Sequence, residues 1–339
     1  MEYKEILEEA RKQTAPHCMA CPVCNGKACG NNVPGPGSKA PGNAAARNYD
    51  KWQEIFVNMD TLCQSVVDPD ISFELFGRRF SAPLFVAPLG AVDMHYGKKY
   101  TDDTYNAEMM RGAIDCGILA FTGDGVNPQI MKDAIAESGA LGGLSIPTIK
   151  PWAKEVVFEK LDDLNAHGVF AAAMDVDAAG LPFLQKQGGK AGSKTVEEMH
   201  EIIEHAGKPF IVKGIMTVAG AKKAVEAGAA GIVVSNHGGR VQGGVPSTAE
   251  VLGEIADAVK GQTVIFVDGG IRSGVDIFRA LALGADAVLV GRPFATMLYG
   301  AGAEGVRVLY DKLVAELKGT MKMCGAPSLK DITRDKIRF

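Results

Sequence analysis

Short, continuous apolar runs alternate with longer stretches along most of the chain. A strand that is apolar at every position is typical of a parallel sheet covered on both faces. The longer stretches repeat their apolar residues at helical spacing. Strands that alternate with helices in this way predict an α/β fold with a parallel sheet.

The pattern predicts eight strands after residue 82, which is the number that a closed (β/α)8 TIM barrel requires. The alternative is a doubly wound open sheet. The predicted strands are 83–88, 118–122, 143–146, 169–175, 210–213, 232–234, 264–268 and 287–290. The predicted helices among them are 105–116, 127–138, 152–167, 195–206, 218–227, 248–259, 275–283 and 293–317.

The N-terminal part of the chain differs from this pattern. Residues 1–16 predict an amphipathic helix, and a segment rich in cysteine, proline and glycine follows it. That segment has too few apolar residues to build a core of its own, so something else must hold it if it is ordered. We therefore predict an N-terminal helix and cysteine-rich extension at 1–45 and a barrel at 46–339.

Composition narrows the class of protein. Of the 339 residues, 47% are hydrophobic and 22% are charged, which is typical of a soluble globular chain. The net charge of -4 without a large basic block gives little support for nucleic-acid binding. We expect no membrane span, because no apolar run has the necessary length, and the charged N-terminus lacks a signal core. We predict a cytoplasmic protein.

The candidate chemistry follows the predicted strand 232–234. His237 and Arg240 stand just past its carboxyl end, where an α/β barrel keeps its active site. A base and a permanent cation on one loop can serve an anionic substrate that must lose a proton. The alternative is a solvated loop whose His and Arg only cap helices.

Two glycine-arginine loops follow the last two predicted strands. One contains Asp268, Gly270 and Arg272, and the other contains Gly291 and Arg292. Barrels often bind phosphate at these two loops, through backbone N–H groups and cationic side chains. Neither loop is a dinucleotide fingerprint or a P-loop, so the pattern indicates a mononucleotide cofactor. The alternative is that the glycines only form tight turns.

These motifs together resemble the FMN-dependent α-hydroxy-acid oxidases and dehydrogenases, which include glycolate oxidase and lactate oxidase. The resemblance covers roughly residues 45–335 and is strongest after Phe210. It implies a small-molecule substrate that is a carboxylate, and a homo-oligomer, commonly a tetramer.

The resemblance also implies a role for individual residues. His237 would be the base, Asp177 would orient it, Arg240 would pair with the substrate carboxylate, and Lys213 would lie near flavin N1. Asp177 could instead be a helix N-cap, and Lys213 a surface lysine. The cofactor-binding residues implied in addition to Lys213 are Ala87, Pro88, Leu89, Gly90 and Thr122 around the flavin ring, Asp268 in its motif, and Gly270, Arg272, Gly291 and Arg292 at the phosphate.

Two features of the relatives are absent from this sequence. The tyrosine of the third strand corresponds to Ser145, and the residues after the fourth strand, 178–184, offer no second arginine. Each lost hydrogen bond costs on the order of 1–3 kcal/mol. We therefore expect glycolate or lactate to bind poorly and the substrate to be bulkier or less charged.

The cysteines of the N-terminal segment are a further departure. Cys18, Cys21 and Cys24 have the CxxCxxC spacing of iron–sulfur sites, and Cys29 could be a fourth ligand. Zinc would accept the same thiolates, and free thiols or disulfides are the remaining alternatives. We favour a [4Fe-4S] cluster, because the neighbouring flavin needs an outlet for electrons.

The predicted function is therefore the FMN-dependent oxidation of a 2-hydroxy acid or related compound, by an oxidoreductase that moves hydride equivalents to flavin N5. The alternatives are an FMN-dependent isomerase on the same barrel and an iron–sulfur/flavin electron-transfer protein.

Overall fold

Eight short parallel strands form the centre of the computed structural model, which describes residues 1–32, 34–186 and 191–339. In chain order they are β1 (Leu84–Val86), β2 (Phe121–Thr122), β3 (Ile146–Ile149), β4 (Ala172–Asp175), β5 (Phe210–Ile215), β6 (Gly231–Val234), β7 (Val264–Val267) and β8 (Ala287–Val290). They pair in the order β1-β8-β7-β6-β5-β4-β3-β2. A parallel bridge between Val86 and Ala120 links the two ends of this order. The predicted (β/α)8 barrel is confirmed.

Helices surround the barrel. They are α1 (Tyr3–Thr14), α2 (Ala44–Gln53), α3 (Val92–Tyr96), α4 (Asp102–Asp115), α5 (Gln129–Ala140), α6 (Lys154–Ala166), α7 (Pro182–Gln185), α8 (Val196–Ala206), α9 (Val218–Glu226), α10 (Thr248–Val259), α11 (Gly274–Ala282) and α12 (Arg292–Met323). Several begin at the residue that the sequence supplies as a cap, as Ser247 and Ser273 do for α10 and α11. No helix among the described residues is long and apolar enough to cross a membrane.

Side chains alternate along each strand between the barrel interior and the surrounding helices. Ile211, Val233 and Phe266 point inward, whereas their neighbours in sequence pack against helices. A hairpin of strands Phe73–Leu75 and Arg78–Phe80 adds Leu75 and Phe80 to the interior cluster. Because this hairpin packs where the strands begin, the barrel is filled at that end.

The third strand lies three residues later than the predicted 143–146. Gly143 has a φ of +76°, and a Cβ there would lie 2.2 Å from the carbonyl oxygen of Gly168. The position is therefore a turn that admits only glycine. The actual strand contains Pro147 and Thr148, which obscured its apolar pattern.

The N-terminal extension packs closely on the barrel. Helix α1 lies along α12, where Gly300 leaves room for the carbonyl of Ile6. Farther along, the backbone N–H of Lys39 donates to the Gly239 carbonyl in the turn after β6, at 2.7 Å. The extension thus reaches the carboxyl ends of the strands, while the domain division at residue 45 stays a prediction.

Candidate active site

A cavity of about 800 Å³ opens at the carboxyl ends of the strands. Because side chains alternate along each strand, every second residue near the end of a strand faces this cavity. Lys213 stands two residues after inward-facing Ile211, and Asp268 stands two after Phe266. Both line the cavity together with His237, Arg240, Gly270, Arg272, Gly291, Arg292 and all of Ala87, Pro88, Leu89 and Gly90. The barrel therefore brings most of the predicted site residues to one place.

His237 lies in the turn after β6, with a φ of +56°. Its Nδ1 is 3.0 Å from Oδ1 of Asp177, and its Nε2 is 3.8 Å from Oδ2 of Asp175. Burial opposes the charge on Asp177, but the charges of His237 and Lys213 outweigh burial and lower the pKa of this carboxyl. Ionised Asp177 favours the imidazole tautomer with its proton on Nδ1, which leaves Nε2 free to accept a proton.

Lys213 is a buried cation inside the barrel. Its Nζ lies 3.8 Å from Oδ2 of Asp268. Burial disfavours the ammonium charge, but Asp268, Asp177 and Asp175 outweigh burial and raise the pKa of Lys213. The lysine therefore stays charged. Because its side chain is buried inside the barrel, the surface-lysine alternative is wrong.

Lys150 and Asp175 belong to the same charge cluster, although the sequence analysis did not select them. Lys150 Nζ lies 3.1 Å from Asp175 Oδ2, and both side chains are buried and line the cavity. Asp124 holds the end of β3 by accepting the backbone N–H of Lys150 at 3.1 Å and the indole N–H of Trp152 at 2.6 Å. The cavity thus contains a second buried lysine.

A metal ion is a poor fit for this cluster. Asp175, Asp177 and His237 have ligand atoms within 4.8 Å of one another. The ammonium groups of Lys150 and Lys213 already balance the nearby carboxylate charges, so an added dication would meet two fixed positive charges. The arrangement suits proton transfer better than metal binding.

Arg240 lies at the rim of the cavity, under the N-terminal extension. Its Nη1 donates to the carbonyls of Gly35 at 2.7 Å and Gly37 at 3.1 Å, and its Nη2 is 3.0 Å from Nε2 of His95. Burial and the Arg240 charge lower the pKa of His95 to about 4. Burial and Arg292 lower the pKa of Arg240 to about 10. At neutral pH the pair is therefore a charged guanidinium beside a neutral imidazole.

The two glycine-arginine loops meet at one end of the cavity. Gly270 has a φ of +86°, and a Cβ there would lie 2.3 Å from the carbonyl oxygen of Asn48. Arg272 donates through Nε to the Cys24 carbonyl at 2.6 Å. Arg292 donates through Nε to the Pro36 carbonyl at 2.8 Å. Both guanidinium groups are held at the cavity wall by backbone carbonyls.

Several buried polar atoms in or beside this cavity have no hydrogen-bond partner among the described residues. They are Thr122 Oγ1, Asp175 Oδ1, Asp177 Oδ2 and Asp268 Oδ1. Buried polar atoms are normally paired, so such a group of orphaned atoms indicates a polar ligand. Thr122 itself does not line the cavity, but the next residue, Gly123, does.

A second cavity, of about 280 Å³, lies among the four cysteines of the extension. Cys18, Cys21, Cys24 and Cys29 all line it, and all four are free thiols. Burial raises the pKa of Cys18 to about 11 and also raises the pKa of Cys21 and Cys29. The second cavity shares Pro36, Arg272 and Arg292 with the first. The two arginines therefore stand between the two cavities.

The family model described as FMN-dependent dehydrogenase matches residues 36–187 and 183–339. The chain belongs to the FMN-dependent dehydrogenase family. This membership confirms the resemblance predicted from the motifs, and FMN is the cofactor that the family description names. The orphaned polar atoms, the glycine loops and the two arginines at the cavity wall fit a polar, phosphorylated cofactor of this kind.

Individual relatives agree with the family. A 4-hydroxymandelate oxidase from Amycolatopsis orientalis is 31% identical over an alignment of 325 residues that covers 83% of this chain and 86% of that protein. A peroxisomal (S)-2-hydroxyacid oxidase from Arabidopsis thaliana is 47% identical over 145 residues, or 43% of this chain and 39% of that oxidase. The chain thus aligns with less than half of the plant oxidase. The crystal structure of a mandelate oxidase superposes with a TM-score of 0.79 at 28% identity, covering 99% of this chain and 97% of that one.

The structure shows where the two predicted departures from the family lie. Ser145 does not face the cavity: it is buried and its Oγ donates to Ser138 Oγ at 2.7 Å. Because β3 lies three residues later than predicted, the cavity-lining residues of this stretch are Thr148 and Lys150. Residues 178–184 offer no cation to the cavity, whereas Lys150, just past β3, does.

Proposed function

We propose that this member of the FMN-dependent dehydrogenase family oxidises a 2-hydroxy acid, with His237 as the base. The contact of His237 with ionised Asp177 is the observation that carries the proposal, because it leaves Nε2 as a proton acceptor facing the cavity. Bound FMN would supply the acceptor for the hydride equivalent. Asp177 stabilises the imidazolium that forms when His237 has accepted the substrate proton.

The cations of the cavity are proposed to bind the substrate carboxylate and to place a positive charge beside the flavin. Arg240 and Lys150 are the groups proposed to bind the substrate carboxylate, Arg240 from the rim and Lys150 from the end of β3. Lys213 supplies a fixed positive charge at the inner face of β5, beside the proposed position of the flavin ring. The backbone of Ala87–Gly90, which lines the cavity, would hold the ring, with Thr122 nearby as the neighbour of cavity-lining Gly123.

The phosphate is assigned to the loops of Gly270 and Gly291, with Arg272 and Arg292. Their glycines bring the backbone close to the cavity, and the guanidinium groups supply positive charge. Asp268 begins the loop of Gly270, and its carboxylate faces the ammonium group of Lys213.

The substrate is proposed to carry an apolar substituent. Leu181, Pro182 and Phe183 line the cavity after β4, where a charged side chain was absent from the sequence. The 4-hydroxymandelate oxidase among the relatives is named for an aromatic 2-hydroxy acid. A bulky side chain would bury its surface against these residues.

Anaerobic mixing tests the function. The purified protein is analysed for its bound chromophore and then mixed with a panel of 2-hydroxy acids while flavin absorbance is followed. We expect aromatic members to bleach the flavin faster than glycolate or L-lactate. Rapid bleaching by glycolate or L-lactate at low millimolar concentration would contradict the proposed substrate class. Turnover without net bleaching would identify the isomerase alternative instead.

We further propose that the four cysteines hold a metal centre, either an iron–sulfur cluster or zinc, in a reducing cytoplasmic environment. The shared cavity and the free thiols support this assignment. Self-association into a tetramer stays a prediction, which light scattering on the purified protein checks.

A further inference from the structure

The cysteine segment has little structure of its own. Among described residues 15–32 and 34–43, between α1 and α2, the backbone forms only turns, bends and irregular chain. Yet its four cysteines all face the same cavity. A segment without a helix, strand or apolar core needs another cross-link to hold its side chains together, and metal binding supplies such a cross-link.

Contacts from the barrel and from α1 and α2 hold this segment in place at several points. Arg272 binds the Cys24 carbonyl, and Arg11 donates to the Met19 carbonyl at 2.8 Å. Gly26, with a φ of +76°, lies directly against Ala45 and Ala46. The cavity is therefore bounded by both the segment and the barrel.

The spacing of the sulfurs distinguishes between two kinds of metal centre. A zinc ion with bonds of about 2.3 Å to sulfur holds its four sulfurs roughly 3.8 Å apart. No three of the four cysteine sulfurs, all of them within the described part of the chain, lie within 4.8 Å of one another. The cavity has a volume of about 280 Å³, whereas one water molecule occupies about 30 Å³ in the liquid. It therefore has room for a group larger than a single ion. This arrangement fits a cluster in which each cysteine binds a different iron atom.

We propose that Cys18, Cys21, Cys24 and Cys29 bind a [4Fe-4S] cluster beside the barrel. The spacing of the first three cysteines is the one used by iron–sulfur proteins. Arg272, Arg292 and Lys312 line the same cavity and offset the negative charge of four thiolates.

The cluster is separate from the reacting centre. It lies behind Arg272 and Arg292, on the proposed phosphate side of the flavin cavity, whereas His237 and Lys150 do not line the cysteine cavity. The proposal goes beyond the oxidation of a hydroxy acid and does not depend on it.

Metal analysis of anaerobically purified protein is the test. We expect about four iron atoms and about four acid-labile sulfides per chain, with a broad visible absorption remaining after the flavin contribution is subtracted. Cys24→Ser should lose most of the iron. Cys63→Ser is the matched control, because Cys63 is exposed and does not line the cavity, and it should keep the full content.

Reconstitution keeps the test decisive if Cys24→Ser does not fold. Metal-free wild-type protein, Cys21→Ser and Cys63→Ser are each incubated with ferrous iron and sulfide under argon. We expect the cluster absorption in the wild type and in Cys63→Ser but not in Cys21→Ser. One zinc per chain without sulfide, no metal at all, or equal iron in all variants would overturn the proposal. FMN content and flavin bleaching, measured separately, report on the proposed oxidation independently of the cluster.

Discussion

At the scale of single residues, the charges inside the barrel come in opposed sets. Lys150 faces Asp175, Lys213 faces Asp268, and His237 faces Asp177. Each cation compensates the desolvation of its partner, which isolated charges could not do. The imidazole can therefore gain or lose a proton in a site whose other charges stay fixed.

Removing the base tests the role of His237. We expect His237→Ala to lower kcat for hydroxy-acid oxidation by about 10²- to 10⁴-fold, since general base catalysis contributes on that order. FMN content should stay near that of the wild type, because the glycine-arginine loops are unchanged. Steady-state kinetics and the flavin spectrum give both values. Activity that survives His237→Ala would favour the electron-transfer alternative.

Substitution of Lys150 tests its proposed role in substrate binding. Lys150→Met should raise KM for a 2-hydroxy acid about 10- to 100-fold, because a charge-assisted hydrogen bond contributes about 1.5–3 kcal/mol. A matched amide in place of the acid should show little further loss. Lys154→Met is the control, since Lys154 lies at the exposed start of α6. Equal KM values for the two variants would remove Lys150 from substrate binding.

At the scale of elements, an ion pair joins α2 to α10. Arg47 of α2 donates to Glu250 of α10 through Nε at 2.7 Å and Nη2 at 2.5 Å. Glu250 also completes the capping box of Ser247 at the start of α10. The hydrogen bond from Arg47 is the main reason why the pKa of Glu250 is lowered to about 2.

This lowered pKa predicts a pH-dependent contribution to stability. A carboxylate whose pKa falls on folding stabilises the fold above its unfolded pKa, and the contribution is lost as pH falls through the folded value. Glu250→Gln should lower the free energy of unfolding by about 1 kcal/mol at pH 7, a discounted value for a partly exposed pair. The difference should shrink between pH 4.5 and about 2.

Urea unfolding at several pH values measures the effect, with Glu254→Gln on the same helix as the control. A Glu250→Gln penalty that is the same at pH 7 and pH 3 would show that the ion pair is not its source.

The sequence predicted the barrel well because buried parallel strands are continuous apolar runs. It also located Lys213, Asp268 and His237, since each lies at or just past the carboxyl end of a recognisable apolar run. It missed Lys150 because Pro147 and Thr148 interrupt the apolar run of β3 and moved the predicted strand three residues early. It missed Asp175 because two carboxylates lie at and just past the end of β4, and only the side-chain contacts show that both approach His237. The backbone carbonyls of residues 35–37 accept hydrogen bonds from Arg240 and Arg292. No local sequence pattern predicts these contacts.

At the scale of the whole molecule, FMN should stabilise the fold by linkage. A ligand that binds only the folded state adds about 2.7 kcal/mol at 100 times its Kd. We expect the Tm of the flavin-free protein to rise as FMN is added, and to rise less for Arg292→Ala. Differential scanning fluorimetry at several FMN concentrations measures both. An identical rise for the two proteins would contradict the phosphate role of Arg292.

Arg272 and Arg292 line both the cysteine cavity and the proposed flavin cavity. Damage to the cysteine site should therefore weaken the binding of FMN. Oxygen that attacks the thiols would release the Cys24 carbonyl from Arg272 and leave that guanidinium free to turn. Preparations handled in air should then lose their yellow colour on dialysis, although nothing in the barrel itself has been altered.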